Sequence, residues 1–165
     1  MNDSIPSQGN PESAAIHTVL RPTLLWSEGA FKADHEVVIS GDRISKIRPA
    51  TGPADWSVAI LPGFVNAHSH AFQRGMRGLG ETFREGQGSF FTWRASMYEL
   101  VASLDAERAY RTSRTAFEEM LDAGITTVGE FHYIHHAADD DQGARWMLDD
   151  AVLRAARDAG IRIVL

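Results

Sequence analysis

Two histidines at the end of an apolar segment are the residues of this sequence best suited to chemistry. His68 and His70 close the segment GFVNAHSH and are two residues apart. In a β-strand, side chains at positions i and i+2 project from the same face, so the two imidazoles would converge on one point. Such a pair can supply two of the three protein ligands of a catalytic zinc ion, with a further position left for water. A His-x-His triplet also arises by chance, and then it has only a structural role.

The surroundings of this pair favour a functional role. It follows Pro62-Gly63, which separates two apolar runs, and it precedes a polar, glycine-rich stretch, residues 71–88. That stretch is too irregular for one continuous helix, and loops longer than about 12 to 15 residues tend to be functional or disordered. Barrel enzymes place their reactive groups on the loops that follow their strands. The sequence therefore predicts an active-site loop directly after His70.

A second group of histidines, His132, His135 and His136, follows the β-branched segment ITTVGEF. Histidines on a loop after a strand need not converge, so we predict structural or supporting roles for them rather than a principal metal site. Glu130 ends the same predicted strand and can face the site, but the sequence assigns it no role. The acidic run Asp139–Asp141 precedes a predicted helix and is expected to complement its positive end rather than to bind metal.

Upstream of the Pro-Gly junction, residues 17–60 read as short strands. The segments VVIS and RISKI flank Gly41-Asp42, a pair that can supply the positive φ of a tight β-turn. Ile44 and Ile47 are three residues apart, which interrupts the alternation expected of the second strand. We predict a small β-rich domain of the sandwich type, with a hairpin whose register the sequence leaves open.

Downstream of the junction, residues 61–165 alternate between helices and strands. Ser89 and Asp105 are candidate N-caps of two amphipathic helices, and Gly124 and Gly160 are candidate terminators. The sequence Asp-Ala-Gly-Ile occurs at 122–125 and again at 158–161, each time between a helix and a strand. This alternation implies a parallel sheet, either open and doubly wound or closed into a (β/α)₈ barrel. A complete barrel takes about 250 residues, so this region holds about three of its strands.

Composition excludes several classes of partner and of metal site. The net charge is −6 in 165 residues, without a basic cluster to bind nucleic acid or an anionic membrane. There is no cysteine, so a metal must be held by imidazole and carboxylate. Residues 1–16 are polar, without the apolar core of a signal peptide, and are predicted to be a disordered tail. The sequence thus predicts a cytoplasmic protein.

Three separated motifs, in this order, resemble a known family. LPGFVNAHSH after a small β-rich unit is similar to the amidohydrolase superfamily, whose first barrel strand carries a His-x-His zinc pair. Within it, HSHAFQRGMRGLGE, FFTWRASMYEL and EFHYIHH resemble the formimidoylglutamate deiminases of histidine degradation. The resemblance extends from about Ile60 to Leu165. It implies an α/β fold, the N-terminal part of a (β/α)₈ TIM-type barrel.

The same resemblance implies roles for individual residues. His68 and His70 would hold one Zn²⁺ per complete active site, with a further His and an Asp supplied by later strands. Gln73, Tyr133 and Arg94 would bind the glutamate portion of the substrate. Arginine forms charge-assisted hydrogen bonds to carboxylates, and Gln and Tyr offer directional neutral contacts. The plainer alternatives are a loop residue for Gln73, a core aromatic for Tyr133 and a surface charge for Arg94.

The reaction implied is the hydrolysis of N-formimino-L-glutamate, a small-molecule substrate, to N-formyl-L-glutamate and ammonia. The resemblance leaves open whether the complete enzyme forms a homodimer. This chain alone is expected to be inactive, because two histidines without their companion ligands bind zinc weakly. Two alternatives remain, namely another deaminase or a chlorohydrolase of the superfamily, and a non-catalytic fragment whose open sheet edge must pair, aggregate or stay partly unfolded.

Overall fold

The computed structural model of the chain describes residues 17–79, 88–137 and 146–165. It divides into two compact units, Met1–Pro62 and Gly63–Leu165. The predictions made for the tail at 1–16, for residues 80–87 of the loop and for Asp139–Asp141 lie outside the described residues. Within the described ranges, none of the helices combines the length and the apolar character that a membrane crossing requires.

The first unit contains two three-stranded sheets. One sheet has the strand order β1-β4-β5 and the other the order β3-β2-β6. All neighbours pair antiparallel except β2 and β6, which are parallel. Among the described residues of this unit, the buried hydrophobic ones are Leu25, Val37 and Val38. The strands are β1 His17–Leu20, β2 Pro22–Ser27, β3 Ala30–Lys32, β4 His35–Ser40, β5 Arg43–Pro49 and β6 Trp56–Ile60.

The predicted hairpin is β4–β5, and its geometry explains the irregular spacing of its isoleucines. Ser40 pairs with Arg43 across the turn, in which Gly41 has a φ of 60°. The register then shifts between Val38 and Ile39, which leaves Ser45 as an extra residue. A bulge of this kind inserts one residue into a strand. Ile44 and Ile47 therefore lie opposite Ile39 and Val37 and share one face of the sheet.

A fully buried carboxylate links the segments of the first unit. Glu36 accepts hydrogen bonds from Arg21 Nε at 2.9 Å and from Arg48 Nε at 2.7 Å. It also accepts from the backbone N–H and the hydroxyl of Thr51, at 3.1 and 3.0 Å. The Thr51 N–H, assisted by the hydroxyl and both guanidinium groups, outweighs the effect of burial and lowers the pKa of Glu36 to about 2.

The second unit is built from parallel strands alternating with helices, as the sequence predicts. Its strands β7, β8 and β9 lie side by side in chain order, and both pairings are parallel. A 3₁₀ helix follows β7, two α-helices precede β8, and a third precedes β9. The bounds are β7 Phe64–Ser69, the 3₁₀ helix Ala71–Met76, α1 Phe90–Ala102, α2 Ala106–Asp122, β8 Ile125–Glu130, α3 Met147–Ala159 and β9 Arg162–Val164.

Local signals at the helix ends are confirmed. Ser89 and Thr92 form a reciprocal capping box at the start of α1, and Asp105 accepts the Arg108 N–H at 2.7 Å at the start of α2. Gly124 and Gly160 have φ values of 81° and 87°. This left-handed conformation is the one that ends helices at glycine, so the repeated Asp-Ala-Gly-Ile marks the same turn twice.

The stretch after His70 differs from the predicted irregular loop, because its first six residues form the 3₁₀ helix. Phe72 and Met76 are buried in a cluster with Leu100, Leu104 and Leu148. Phe72 and Met76 enter this core from successive turns of the 3₁₀ helix. Burial of these side chains therefore orders a segment whose polar and glycine residues suggest irregular structure.

The lowered pKa of Glu36 predicts a specific dependence of stability on acid. An unfolded glutamate has a pKa of about 4.3, above the folded value of about 2. The Glu36 contribution is therefore fully present above pH 4.3 and is lost as the pH falls towards 2. Glu36→Gln should lower the free energy of unfolding at pH 7 and flatten its decline in that window. Urea unfolding followed by circular dichroism from pH 2.5 to 7 measures both effects.

The matched control is Glu118→Gln, which removes an exposed carboxylate paired with Arg114. Such a surface pair contributes about 0 to 1 kcal/mol, so its acid profile should follow that of the unmodified chain. Equal acid sensitivity in the Glu36 variant and the unmodified chain would contradict the prediction.

Candidate functional site

The carboxyl ends of β7 and β8 meet at one edge of the parallel sheet. Ser69 pairs with Glu130, and the Phe131 N–H donates to the Ser69 carbonyl at 2.8 Å. This pairing places the His68–His70 segment beside residues 130–133. Ligands of parallel α/β sheets bind outside this end of the strands.

The two histidines of β7 converge, as their spacing predicts. Their Nε2 atoms are 3.1 Å apart, and their rings are nearly perpendicular at 87°. His70 Nδ1 lies 2.9 Å from the Phe131 carbonyl oxygen, which can only accept, so Nδ1 carries a proton and Nε2 presents a lone pair. Two nitrogens at this distance fit two ligands that each lie about 2.0 Å from one zinc ion. The pair is therefore suited to hold a metal.

Glu130 supports the turn that follows the histidine pair. It is 4% exposed, and its Oε1 accepts the Ala71 N–H at 2.6 Å. Burial raises the pKa of Glu130, although the Ala71 N–H, the Ser69 side chain and the charges of the two imidazoles oppose this effect. Its Oε2 has no hydrogen-bond partner within the described residues. This residue, to which the sequence assigned no role, fixes the backbone next to His70.

Two of the three predicted substrate-binding residues lie together. Gln73 Nε2 donates to the Tyr133 hydroxyl at 3.2 Å, and both contact the Met97 sulfur, at 3.7 and 3.8 Å. The Tyr133 ring meets the His70 ring edge-on, with centroids 5.3 Å apart. The 3₁₀ helix, α1 and the segment after β8 thus assemble a polar pair beside the histidines.

Arg94 is not brought to this pair. Its guanidinium donates to the Tyr98 hydroxyl, at 2.9 Å from Nε and 2.6 Å from Nη2, and lies over the Tyr98 ring. Across the described ranges, its side-chain contacts stay on α1, where Arg94 is exposed. Its role in substrate binding stays a prediction.

An aromatic side chain that the sequence did not single out completes this edge. Phe131 stacks on His68, with centroids 5.8 Å apart and planes at 24°, and it also contacts His70. Its side chain is 58% exposed. In the sequence, only the position of Phe131 directly after Glu130, at the end of β8, indicates that its ring could lie near His68 and His70.

Two histidines of the second group also converge, an arrangement that their position on a loop after a strand does not by itself require. His135 Nδ1 lies 3.0 and 3.1 Å from the two carboxylate oxygens of Asp149, and His132 Nε2 lies 3.9 Å from Oδ2. Burial lowers the pKa of His132, and the Asp149 charge only partly opposes this. His136 lies outside this group and faces Trp146. The sequence did not reveal the arrangement because Asp149 comes from the first turn of α3, well separated along the chain.

Comparison with known proteins identifies relatives of this chain. The amidohydrolase family model matches residues 59–165. The chain is 44% identical over 136 residues to the formimidoylglutamate deiminase of Pseudomonas aeruginosa, covering 77% of this chain and 29% of that protein. It is 31% identical over 125 residues to the 8-oxoguanine deaminase of the same organism, covering 70% of this chain and 27% of that protein.

A solved structure agrees with these sequence relatives. An amidohydrolase from Brucella melitensis superposes with a TM-score of 0.79 and 32% identity, covering 89% of this chain and 34% of that chain. The chain thus spans about a third of the length of the relatives it matches. The predicted fold class is confirmed, an α/β arrangement that forms part of a TIM-type barrel.

Close approach of β7 and β8 predicts that Gly129 cannot be replaced without loss of stability. A Cβ at this position would lie 2.8 Å from the Ala67 carbonyl oxygen, which belongs to the backbone of β7. Gly129→Ala should therefore lower the free energy of unfolding by about 1 to 3 kcal/mol. The control is Gly52→Ala, whose Cβ meets only Arg21, at 3.7 Å, and which should change it by less than about 0.5 kcal/mol. Urea denaturation measures both, and equal stabilities would contradict the prediction.

Proposed function

The chain belongs to the amidohydrolase family, and we propose that its complete protein hydrolyses N-formimino-L-glutamate to N-formyl-L-glutamate and ammonia in histidine degradation. Membership of this family supports a hydrolase acting on C–N bonds as the activity of the complete protein. The observation that carries the substrate proposal is the Gln73–Tyr133 pair beside His70. The 44% identity to a formimidoylglutamate deiminase supports it.

We propose Zn²⁺ as the metal at His68 and His70. Zinc bound in such a site would lower the pKa of bound water to about 7 and would thereby supply a nucleophile at neutral pH. The family resemblance assigns the remaining ligands to later strands. Within this chain, the Phe131 carbonyl holds the His70 ring in one tautomer, which keeps its Nε2 lone pair directed at His68.

The contacts of Gln73 and Tyr133 suit them to bind a carboxylate of the glutamate portion. The Tyr133 hydroxyl accepts a hydrogen bond from Gln73, and among the described residues its own proton has only the weakly accepting Met97 sulfur as a partner. That proton can be redirected to a carboxylate oxygen, and hydrogen bonds to charged acceptors are the stronger ones. Gln73 thus orients Tyr133 for substrate binding.

Arg94 is the proposed partner of the second carboxylate. Its present partner, the Tyr98 hydroxyl, is neutral. Exchange of this hydroxyl for a carboxylate gives a charge-assisted, two-point contact, which favours the exchange when substrate is bound.

An alternative substrate class is a planar aminated ring. The exposed Phe131 ring, stacked on His68, offers a surface on which such a ring could lie. The 31% identity to an 8-oxoguanine deaminase supports this alternative. A comparison of kcat/KM for N-formimino-L-glutamate and for 8-oxoguanine separates the two, because only one of these substrates carries the two carboxylates.

The first functional prediction concerns His68 in the complete, zinc-loaded protein. His68→Ala should reduce ammonia release from N-formimino-L-glutamate at least about 100-fold, because a metal ligand is lost. The control is His35→Ala, which removes a histidine of the first unit bonded to the Ala33 carbonyl, and it should retain activity. The 165-residue chain alone should show negligible release. Full activity of the His68 variant of the complete protein would refute the first expectation. Saturable, His68-dependent ammonia release by the 165-residue chain would refute the second.

The second functional prediction concerns the Tyr133 hydroxyl. Tyr133→Phe should raise KM for N-formimino-L-glutamate about 10-fold, because one hydrogen bond to a charged group is lost, with a smaller change in kcat. Tyr110→Phe is the matched control, since Tyr110 donates to Asp158 on the helical side of the unit. Initial-rate kinetics measure both parameters. A fall in kcat at constant KM would show that Tyr133 does not serve substrate binding.

A further inference from the structure

His132 is the most conspicuous buried polar group of the second unit. Its side chain is 3% exposed, and neither ring nitrogen meets hydrogen-bond geometry with any residue that the structure describes, the adjacent Ile134 backbone included. Buried imidazoles are ordinarily hydrogen-bonded. A buried donor or acceptor without a partner loses its hydrogen bonds to water and gains none within the protein, which destabilises the folded state. Within the described residues, the ring nitrogens of His132 therefore need a partner that is not a protein group.

The neighbours of His132 indicate what that partner is. Nδ1 of His135 lies 3.0 Å from an Asp149 oxygen, and His132 Nε2 lies 3.9 Å from the other oxygen, which is too far for a hydrogen bond. One ligand atom from each residue lies within 4.8 Å of the other two. A gap of this size between two imidazoles and a carboxylate is one that a cation fills by contacting all three.

The three side chains are held by ordered parts of the fold. Leu148, which precedes Asp149, is fully buried, and its N–H donates to the His135 carbonyl at 3.4 Å. The Trp146 ring packs edge-on against the His135 ring, with centroids 4.8 Å apart. Asp149 lies in the first turn of α3. These contacts set the positions from which small side-chain rotations can close a coordination shell.

We propose that His132, His135 and Asp149 bind a divalent transition-metal ion, with zinc as the preferred ion. Two imidazole nitrogens and one carboxylate oxygen form a donor set that zinc and its first-row neighbours favour over magnesium or calcium. None of these residues belongs to the His68–His70 pair. The ion would connect the segment after β8 to the start of α3, and its binding requires His135 to carry its ring proton on Nε2.

The test uses the full chain with His68→Ala and His70→Ala, so that its outcome is independent of the proposed catalytic site. Zn²⁺ or Co²⁺ alone is titrated by calorimetry, and Co²⁺ binding is also followed by visible absorption. We expect one ion per chain. Asp149→Asn and His135→Gln, added separately to this background, should each weaken binding at least about 10-fold. His136→Gln is the matched control, a neighbouring histidine outside the group, and it should leave affinity unchanged.

Circular dichroism first establishes that each variant is folded. Of the two ligand variants, His135→Gln is expected to perturb folding less, because the His135 side chain is 37% exposed. In the folded background chain, saturating Zn²⁺ should raise the melting temperature, and this rise should disappear in the two ligand variants. The proposal is overturned if no ion binds, if affinity is the same with and without Asp149 and His135, or if His136→Gln weakens binding equally.

Discussion

The candidate site depends on the parallel pairing of β7 and β8 and on the hydrogen bonds at the carboxyl ends of these strands. The Phe131 N–H donates to the Ser69 carbonyl at 2.8 Å, and the Ala71 N–H donates to Glu130 at 2.6 Å. These bonds set the backbone on either side of His70, whose ring is then fixed by the Phe131 carbonyl. The strands approach this closely because Gly129 has no side chain to separate them. A single packing constraint between backbones thus determines where the histidine pair points.

The buried ionisable groups of the two units differ in how many of their polar atoms have hydrogen-bond or ion-pair partners. Glu36 has two guanidinium partners, a hydroxyl and a backbone N–H, so its ionised form stabilises the first unit. By contrast, one oxygen of Glu130 and both ring nitrogens of His132 have no hydrogen-bond partner within the part of the chain that the structure describes. Incomplete compensation is costly for folding and is common where a protein binds a ligand or a metal. The uncompensated groups of this chain are all in the second unit, among the described residues.

Much of the fold was predictable because its signals are local. A cap such as Asp105, a terminator such as Gly160 and the period of a strand each act within a few residues, and the convergence of His68 and His70 follows from that period alone. The features that escaped prediction depend on distant parts of the chain. Asp149 reaches the second histidine group only through the packing of α3, and the 3₁₀ helix after β7 forms because Phe72 has a core to enter.

The segment after β8 serves two sides of the fold at once. Phe131 and Tyr133 direct their rings to His68 and His70, whereas His132 and Ile134, which alternate with them, are buried. Because the two sets alternate along one short stretch of backbone, neither can shift without the other. Fixing His132 from the side of α3 therefore also fixes the aromatic rings beside the histidine pair. An ion at the second histidine group would in this way order the residues proposed to bind substrate without contacting the substrate.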